Sequence, residues 1–253
     1  MGKLRHIAFI SPEPKKLSDF YQKYFGLEEV KVFPSGSRMV IDGLFNLAFL
    51  QQHPGTAAAV VGTHRSDGSE ANQIQGIAHY GFMVDSLDEA VAKLPQSLDR
   101  GKSPQISGGV SGPEAARPAE VRFIDPWGNN VDISSRGFLG REEKRLPGVR
   151  LAVVQVADPE KACEFYKSQF DLEVVERKSD GSILLSDGTV KLMLTPKQTL
   201  DRGGIQYFGI QVDDLPAVRQ RLVDGGVQVS SVDGAPNQIR INDPEGNQVV
   251  ISA

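Results

Sequence analysis

The chain is poor in the residue types that mark several classes of protein. Its 253 residues contain a single cysteine, Cys163, which excludes an intrachain disulfide and indicates a reducing compartment. No apolar run approaches the roughly 20 residues needed to span a bilayer, and the first residues lack the hydrophobic segment of a secretory signal. We therefore expect a cytoplasmic protein that does not span a membrane.

An excess of positive charge is also missing. The formal net charge is -4, which argues against nucleic acid or an anionic membrane as the main partner. Hydrophobic residues make up 40% of the chain and charged residues 24%, an ordinary globular composition with enough apolar material for a core. We expect a small-molecule substrate and either a monomer or a homodimer.

Two of the four histidines open similar strand-like segments, His6–Ile10 and His79–Asp85. Downstream, the turn motif Asp125-Pro-Trp-Gly-Asn129 leads into a strand that carries Asp132. Two imidazoles and one carboxylate on separate strands can form a facial metal triad with open coordination positions. These residues are the first candidates for a functional site.

Internal repeats divide the chain into two halves. The second half echoes the first at an offset of 145 residues in two places, and the turn motif also returns. The echoes pair Asp19–Glu28 with Glu164–Glu173, Asp42–Leu47 with Asp187–Leu192, and Asp125–Asn129 with Asp243–Asn247. We predict a first domain over residues 1–140, a charged linker over 141–148 and a second domain over 149–253.

A finer repeat lies inside each half. An apolar alternating run passes through a turn that can cap a helix, and a helical pattern of period 3.6 follows. Short strands separated by glycine-containing turns come next. The four openings are Arg5–Phe20, Ala78–Leu94, Arg150–Phe165 and Gln206–Leu222. The predicted unit is one strand, one helix and about three further strands.

This pattern resembles the vicinal oxygen chelate superfamily, which includes glyoxalase I, extradiol dioxygenases, methylmalonyl-CoA epimerase and bleomycin-resistance proteins. The matching motifs are His6–Ile10 with Asp19–Glu28, then His79–Leu87 and Asp125–Ile133. The resemblance covers nearly the whole chain apart from two insertions. It implies an α+β fold of two tandem cup-shaped domains, each built from two βαβββ units.

The resemblance also implies a ligand set. Its metal ligands correspond to His6, His79 and Asp132, although Glu is more common than Asp at the third position. Small neighbours at Ala8 and Gly81 are expected to leave space for a substrate. A fourth ligand slot in some members corresponds to Ala48, so three protein ligands remain. Two histidines and a carboxylate favour Fe(II), with Mn(II), Zn(II), Co(II) or Ni(II) as alternatives.

The second half serves as an internal control for that ligand set. Its corresponding positions are Leu151, Tyr207 and Val250. A scaffold that needed the two histidines and the aspartate merely for folding would not replace all three with apolar or aromatic residues. We therefore expect a metal in the first half and a structural role for the second.

The leading functional hypothesis is an Fe(II) extradiol-type dioxygenase or related oxygenase, with dioxygen and a small aromatic or oxygen-chelating metabolite as substrates. The extradiol signature carries a further histidine and a tyrosine just before Asp-Pro, and the segment Glu120–Ile124 has neither. The insertion over 51–76 can replace them if it forms a lid that brings His53 or His64 to the substrate as a catalytic group. A surface loop is the alternative.

Substrate contacts are expected from Asn46, Arg65, Arg136 and Phe138. Arg136 can pair with an anionic substrate and Phe138 can cover it, unless this segment is a surface connector. Two other functions stay open. A glyoxalase- or epimerase-like lyase or isomerase would need a base beside the metal, and a drug-binding resistance protein would need no metal at all.

Overall fold

The computed structural model describes residues 1–52, 76–98, 121–141, 143–197 and 204–253. The described part of the chain forms fifteen strands and four helices. In chain order these are β1 Lys3–Ser11, α1 Pro14–Phe25, β2 Glu28–Val32, β3 Arg38–Ile41, β4 Asn46–Gln51, β5 Gly76–Met83, α2 Leu87–Lys93, β6 Val121–Ile124, β7 Asn130–Ser134, β8 Gly148–Val156, α3 Pro159–Phe170, β9 Glu173–Arg177, β10 Ile183–Ser186, β11 Lys191–Pro196, β12 Gly204–Gln211, α4 Leu215–Asp224, β13 Ser230–Val232, β14 Ala235–Asn242 and β15 Gln248–Ser252.

Each half of the chain forms one sheet, and the two sheets repeat one topology. The first has the order β2-β3-β4-β1-β5-β7-β6, and the second has the order β13-β14-β15-β12-β8-β11-β10-β9. In both sheets the opening strands of the two units, β1 with β5 and β8 with β12, pair antiparallel at the centre. The α+β fold of two tandem cup-shaped halves is therefore confirmed. Three units show the strand, helix and three strands, and the second unit shows β5, α2, β6 and β7 in the described residues.

Three of the four helices in the described residues begin at a capping side chain. Asp158 accepts a hydrogen bond from the Lys161 backbone N–H at 3.1 Å, and Asp214 accepts one from Ala217 at 2.9 Å. Ser86 does the same for α2. In each case the side-chain oxygen satisfies a backbone donor that the first helical turn leaves free. None of the helices in the described residues is long and apolar enough to cross a membrane.

The core lies between the two sheets, where the helices of both halves meet. Phe9 on β1 and Phe208 on β12 make an edge contact with ring centroids 5.7 Å apart. Phe82 on β5 stacks on Phe170 of α3, with centroids 3.9 Å apart. Such aromatic pairs add about 0.5–1.5 kcal/mol to the effect of burial alone. The buried residues of the two halves consequently form one continuous hydrophobic cluster.

Reciprocal polar contacts also join the halves. The Tyr21 hydroxyl donates to Asp243 Oδ2 at 2.9 Å, and the Tyr166 hydroxyl donates to Asp125 Oδ2 at 2.5 Å. The two aspartates open the repeated Asp-Pro-x-Gly-Asn turns, and the two tyrosines occupy the repeated position of α1 and α3. Each turn therefore shapes its own hairpin and anchors the first helix of the opposite half.

A second reciprocal pair lies near the ends of the opening strands. Arg5 contacts Asp187 at 2.6 Å, and Arg150 contacts Asp42 at 3.0 Å. The two arginines are 145 residues apart, and so are the two aspartates, which is the offset that relates the sequence repeats. The two halves are thus related by an approximate two-fold arrangement, which the sequence repeats alone do not reveal.

Candidate metal centre

Three neighbouring strands place the candidate triad on the face of the first sheet that points away from the helices. In the antiparallel pairing of β1 with β5, His6 lies opposite Gly81, and in the parallel pairing of β5 with β7, Gly81 lies beside Asp132. His79 precedes Gly81 by two residues on β5 and therefore points to the same face. The three candidate side chains thus surround a position that has no side chain of its own.

The ligand atoms of His6, His79 and Asp132 converge. The two Nε2 atoms lie 3.3 Å apart, and His79 Nε2 lies 3.2 Å from Asp132 Oδ2. One donor atom from each residue falls within 4.8 Å of the others. Two donors that bind one ion at about 2.1 Å and at right angles lie about 3 Å apart. The spacing and the donor types therefore fit a divalent cation held by two histidines and a carboxylate.

Asn46 fixes the orientation of the first imidazole. Its Oδ1 lies 2.7 Å from His6 Nδ1, and its Nδ2 donates to the Val40 carbonyl at 3.4 Å. Because the amide nitrogen is turned to a carbonyl, the amide oxygen accepts the proton of His6 Nδ1. The lone pair of His6 then lies on Nε2, which points toward the other two side chains. Asn46 is fully buried, so a substrate contact from this residue stays a prediction.

Phe138 covers the imidazole of His6. The two rings are nearly parallel, with an interplanar angle of 4° and centroids 4.5 Å apart. A Cβ atom at Gly81 would lie 2.6 Å from Phe138 Cζ and 3.2 Å from His6 Cβ. The expectation that Gly81 leaves space for a substrate was wrong, because the ring of Phe138 fills that space.

Arg122 is the residue of the centre that the sequence analysis missed. It lies directly opposite Asp132 in the β6–β7 hairpin. Its Nε donates to Asp132 Oδ1, and its Nη2 donates to Asp132 Oδ2 at 2.5 Å. The same Nη2 lies 3.3 Å from His79 Nε2. The signal was present in the sequence, since a tight hairpin around Asp125–Asn129 places Arg122 and Asp132 in register.

Burial and the neighbouring guanidinium set the charge states of the centre. Burial, assisted by His79, lowers the pKa of His6 to about 3. Burial also lowers the pKa of His79. Burial alone would raise the pKa of Asp132, but the charge of Arg122 and contact with His79 hold it well below its usual range. The result is two neutral imidazoles and an ionised carboxylate, which are the protonation states that metal ligation requires.

The remaining candidate residues are less close to the triad or lie outside the described residues. Arg136 is exposed in the turn that follows β7, where its backbone N–H donates to Ser134 Oγ at 3.2 Å. His53, His64 and Arg65 belong to the undescribed range 53–75. The lid hypothesis and the roles assigned to these residues therefore stay predictions.

The equivalent face of the second sheet has the same backbone register without the ligands. Leu151 lies opposite Gly209, as His6 lies opposite Gly81, and Arg240 lies opposite Val250, as Arg122 lies opposite Asp132. Arg240 Nε is buried and has no hydrogen-bond partner. The arginine is thus present in both halves, whereas the imidazoles and the carboxylate occur only in the first.

Fold and site together define a tandem-cup protein with one candidate metal centre. The chain matches the Glyoxalase/Bleomycin resistance protein/Dioxygenase superfamily over residues 3–133 and 148–251, and it belongs to that superfamily. A comparison with curated protein sequences finds no significant match.

Solved structures share this fold at low sequence identity. The 2,3-dioxygenase LapB from Pseudomonas sp. KL28 aligns with a TM-score of 0.69 and 12% identity over 99% of this chain and 91% of that one. The Mn(II)-bound glyoxalase from Novosphingobium aromaticivorans aligns with a TM-score of 0.70 and 12% identity over 100% of this chain and 83% of that one. An extradiol ring-cleaving dioxygenase from B. fuscum aligns with a TM-score of 0.68 and 11% identity over 99% of this chain and 71% of that one. At these identities the likeness shows the fold alone.

Proposed function

We propose that the chain is a metal-dependent enzyme in which His6, His79 and Asp132 hold one divalent ion. The observation that carries the proposal is the convergence of the ligand atoms of two buried imidazoles and one buried carboxylate, which lie within 4.8 Å of one another. Fe(II) is the favoured ion because two histidines and a carboxylate are typical of non-haem iron oxygenases. Mn(II), Zn(II), Co(II) and Ni(II) are the alternatives.

The proposed reaction is an extradiol-type or related oxygenation of a small aromatic or oxygen-chelating metabolite. The bound ion would supply Lewis-acid polarisation of the substrate oxygens and, as Fe(II), a position for dioxygen. The chain itself orients the first ligand through Asn46, keeps Asp132 ionised through Arg122 and shields His6 with Phe138. The buried setting excludes water from this side of the centre and strengthens the electrostatic interactions there.

The second candidate is a glyoxalase- or epimerase-like lyase or isomerase. One observation favours it, because β6 carries Arg122 and no histidine or tyrosine beside the triad. An oxygenase would then depend on His53 or His64 for acid–base chemistry. A cytoplasmic location accompanies both candidates, since the single cysteine is buried and unpaired.

Anaerobic purification, loading with Fe(II) and metal analysis form the first test. The wild type is expected to bind about one ion per chain, and His79→Ala is expected to bind none. Tyr207→Ala alters the corresponding position of the second half and serves as the matched control, with metal content unchanged. A wild-type protein that binds no divalent ion at stoichiometric levels would contradict both enzyme hypotheses and favour a drug-binding protein.

The reaction class is tested on the loaded protein. Oxygen uptake with catechols, lost in His79→Ala and kept in Tyr207→Ala, supports the oxygenase. Turnover of a hemithioacetal without oxygen consumption would assign the chain to the isomerase and lyase group instead.

A further inference from the structure

Arg122 contacts the same atoms that a metal ion would use. Its Nη2 donates to Asp132 Oδ2 at 2.5 Å and lies 3.3 Å from His79 Nε2, while its Nε donates to Asp132 Oδ1. These are the carboxylate oxygens and one of the two imidazole nitrogens of the candidate triad. The guanidinium therefore contacts part of the ligand set itself.

A guanidinium and a divalent ion cannot both use these atoms without cost. Arginine does not lose its proton in proteins, so Arg122 keeps its positive charge under all ordinary conditions. Asp132 is fully buried, and Arg122 is 5% exposed. Two cations that share one carboxylate in such a site repel each other with little screening by solvent.

We propose that Arg122 is a built-in competitor that sets the metal affinity of the triad. It pairs with Asp132 in the metal-free chain and must release Asp132 Oδ2 when the ion binds. The pairing keeps a buried carboxylate neutralised while the ion is absent, so folding does not depend on metal. The proposal rests on the proposed function, because it presumes that the triad binds a divalent ion.

The alternative role for Arg122 is positioning. In that case its two hydrogen bonds would hold Asp132 in the orientation that the ion needs, and removal of the guanidinium would weaken metal binding. The two roles predict opposite signs for the same measurement, which makes the affinity of an Arg122 variant decisive.

The test compares Arg122→Met with the wild type, using Mn(II) and Co(II) as the probe ions in isothermal titration calorimetry. The variant is expected to bind at least about 10-fold more tightly, equivalent to 1.4 kcal/mol, because the competing cation is gone. The melting temperature of the variant without metal is expected to be lower than that of the wild type. The rise in its melting temperature when metal is added is expected to exceed the rise in the wild type. Arg240→Met is the matched control, because Arg240 faces Val250 in the same register, and it should leave the metal affinity and the metal-induced rise in melting temperature unchanged.

Equal or weaker binding by Arg122→Met would overturn the competitor role while leaving the metal site intact. Absence of binding in the wild type and in every variant would overturn the proposed function and this inference together. If Arg122→Met folds only when Mn(II) is present, the inference is supported. If it does not fold at all, Arg122→Lys decides, since one ammonium cannot cover both carboxylate oxygens. A metal-induced rise in melting temperature above that of the wild type supports competition, and an equal or smaller rise contradicts it.

Discussion

The two sheets share a backbone pattern and differ in what it presents on the outer face. Each strand of the described first sheet has an equivalent in the second, and the helix-facing side is apolar in both. The outer positions differ in chemistry. The pairs are His6 and Leu151, His79 and Tyr207, and Asp132 and Val250. The apolar side that packs against the helices is therefore common to both halves, and the candidate ligands occur only on the opposite side of the first sheet.

The largest change in the free energy of unfolding is expected when Asp132 is replaced by valine, the residue at the corresponding position of the second half. Asp132→Val removes the carboxylate that pairs with the buried Arg122. Breaking one member of a buried ion pair costs about 3–5 kcal/mol, which urea denaturation would measure. The double variant with Arg122→Met should recover most of this loss, because two apolar residues can replace a buried pair. A single variant that loses under 1 kcal/mol, roughly the value of an exposed pair, would contradict this account.

The contacts between the halves allow a second comparison. Tyr166→Phe removes the hydrogen bond to Asp125 and also the contact with the Tyr80 hydroxyl, whereas Tyr21→Phe removes the bond to Asp243. Each substitution removes a hydrogen bond to a buried carboxylate oxygen, and leaving such an acceptor less satisfied costs about 1–3 kcal/mol of stability. We expect Tyr166→Phe to lower the free energy of unfolding more than Tyr21→Phe in chemical denaturation, and an equal or smaller loss would contradict a stabilising Tyr80 contact.

The two central glycines give a third test. A Cβ at Gly209 would lie 2.9 Å from Leu151 Cβ, close to the backbone, whereas at Gly81 the nearest atom is the ring tip of Phe138. Overpacking costs about 1–3 kcal/mol of stability. The loss for Gly209→Ala should lie nearer the upper end of this range, because the Leu151 Cβ is close to the backbone and cannot move away. Adding Phe138→Leu to Gly81→Ala should restore stability. Failure of that rescue would place the strain in the backbone or against His6.

The smallest expected effect is a pH dependence common to both halves. Burial raises the pKa of Asp125 and of Asp243 above 3.8. A carboxyl group with a raised folded-state pKa binds its proton more tightly in the folded chain. Its contribution to stability is therefore complete below about pH 3.8 and is lost as pH rises through the folded-state pKa.

The asparagine variants of both turns isolate this contribution. The free energy of unfolding of the wild type minus that of Asp125→Asn, or of Asp243→Asn, should decrease as pH rises from 3.8. A flat difference for either variant would show that the carboxyl group titrates equally in the folded and unfolded chains.

Much of the fold could be predicted because the signals are local and repeated. The four strand–helix openings of the sequence analysis appear as β1 with α1, β5 with α2, β8 with α3 and β12 with α4. Arg122 could also have been found, since the hairpin turn determines its partner. Phe138 and Asn46 could not be placed in the same way, because their contacts join residues far apart in the chain.

The sequence by itself determined the repeated units, because alternation, helical period and turn chemistry depend on neighbouring residues. The motifs in those units carry the family resemblance, which implied the α+β class and the ligand set. Only the tertiary structure decided that the repeats interlock through reciprocal tyrosine–aspartate contacts, that Phe138 fills the gap at Gly81 and that Arg122 lies on the atoms a metal would bind. The physical reason is that these features depend on which strands become neighbours and how closely their side chains approach.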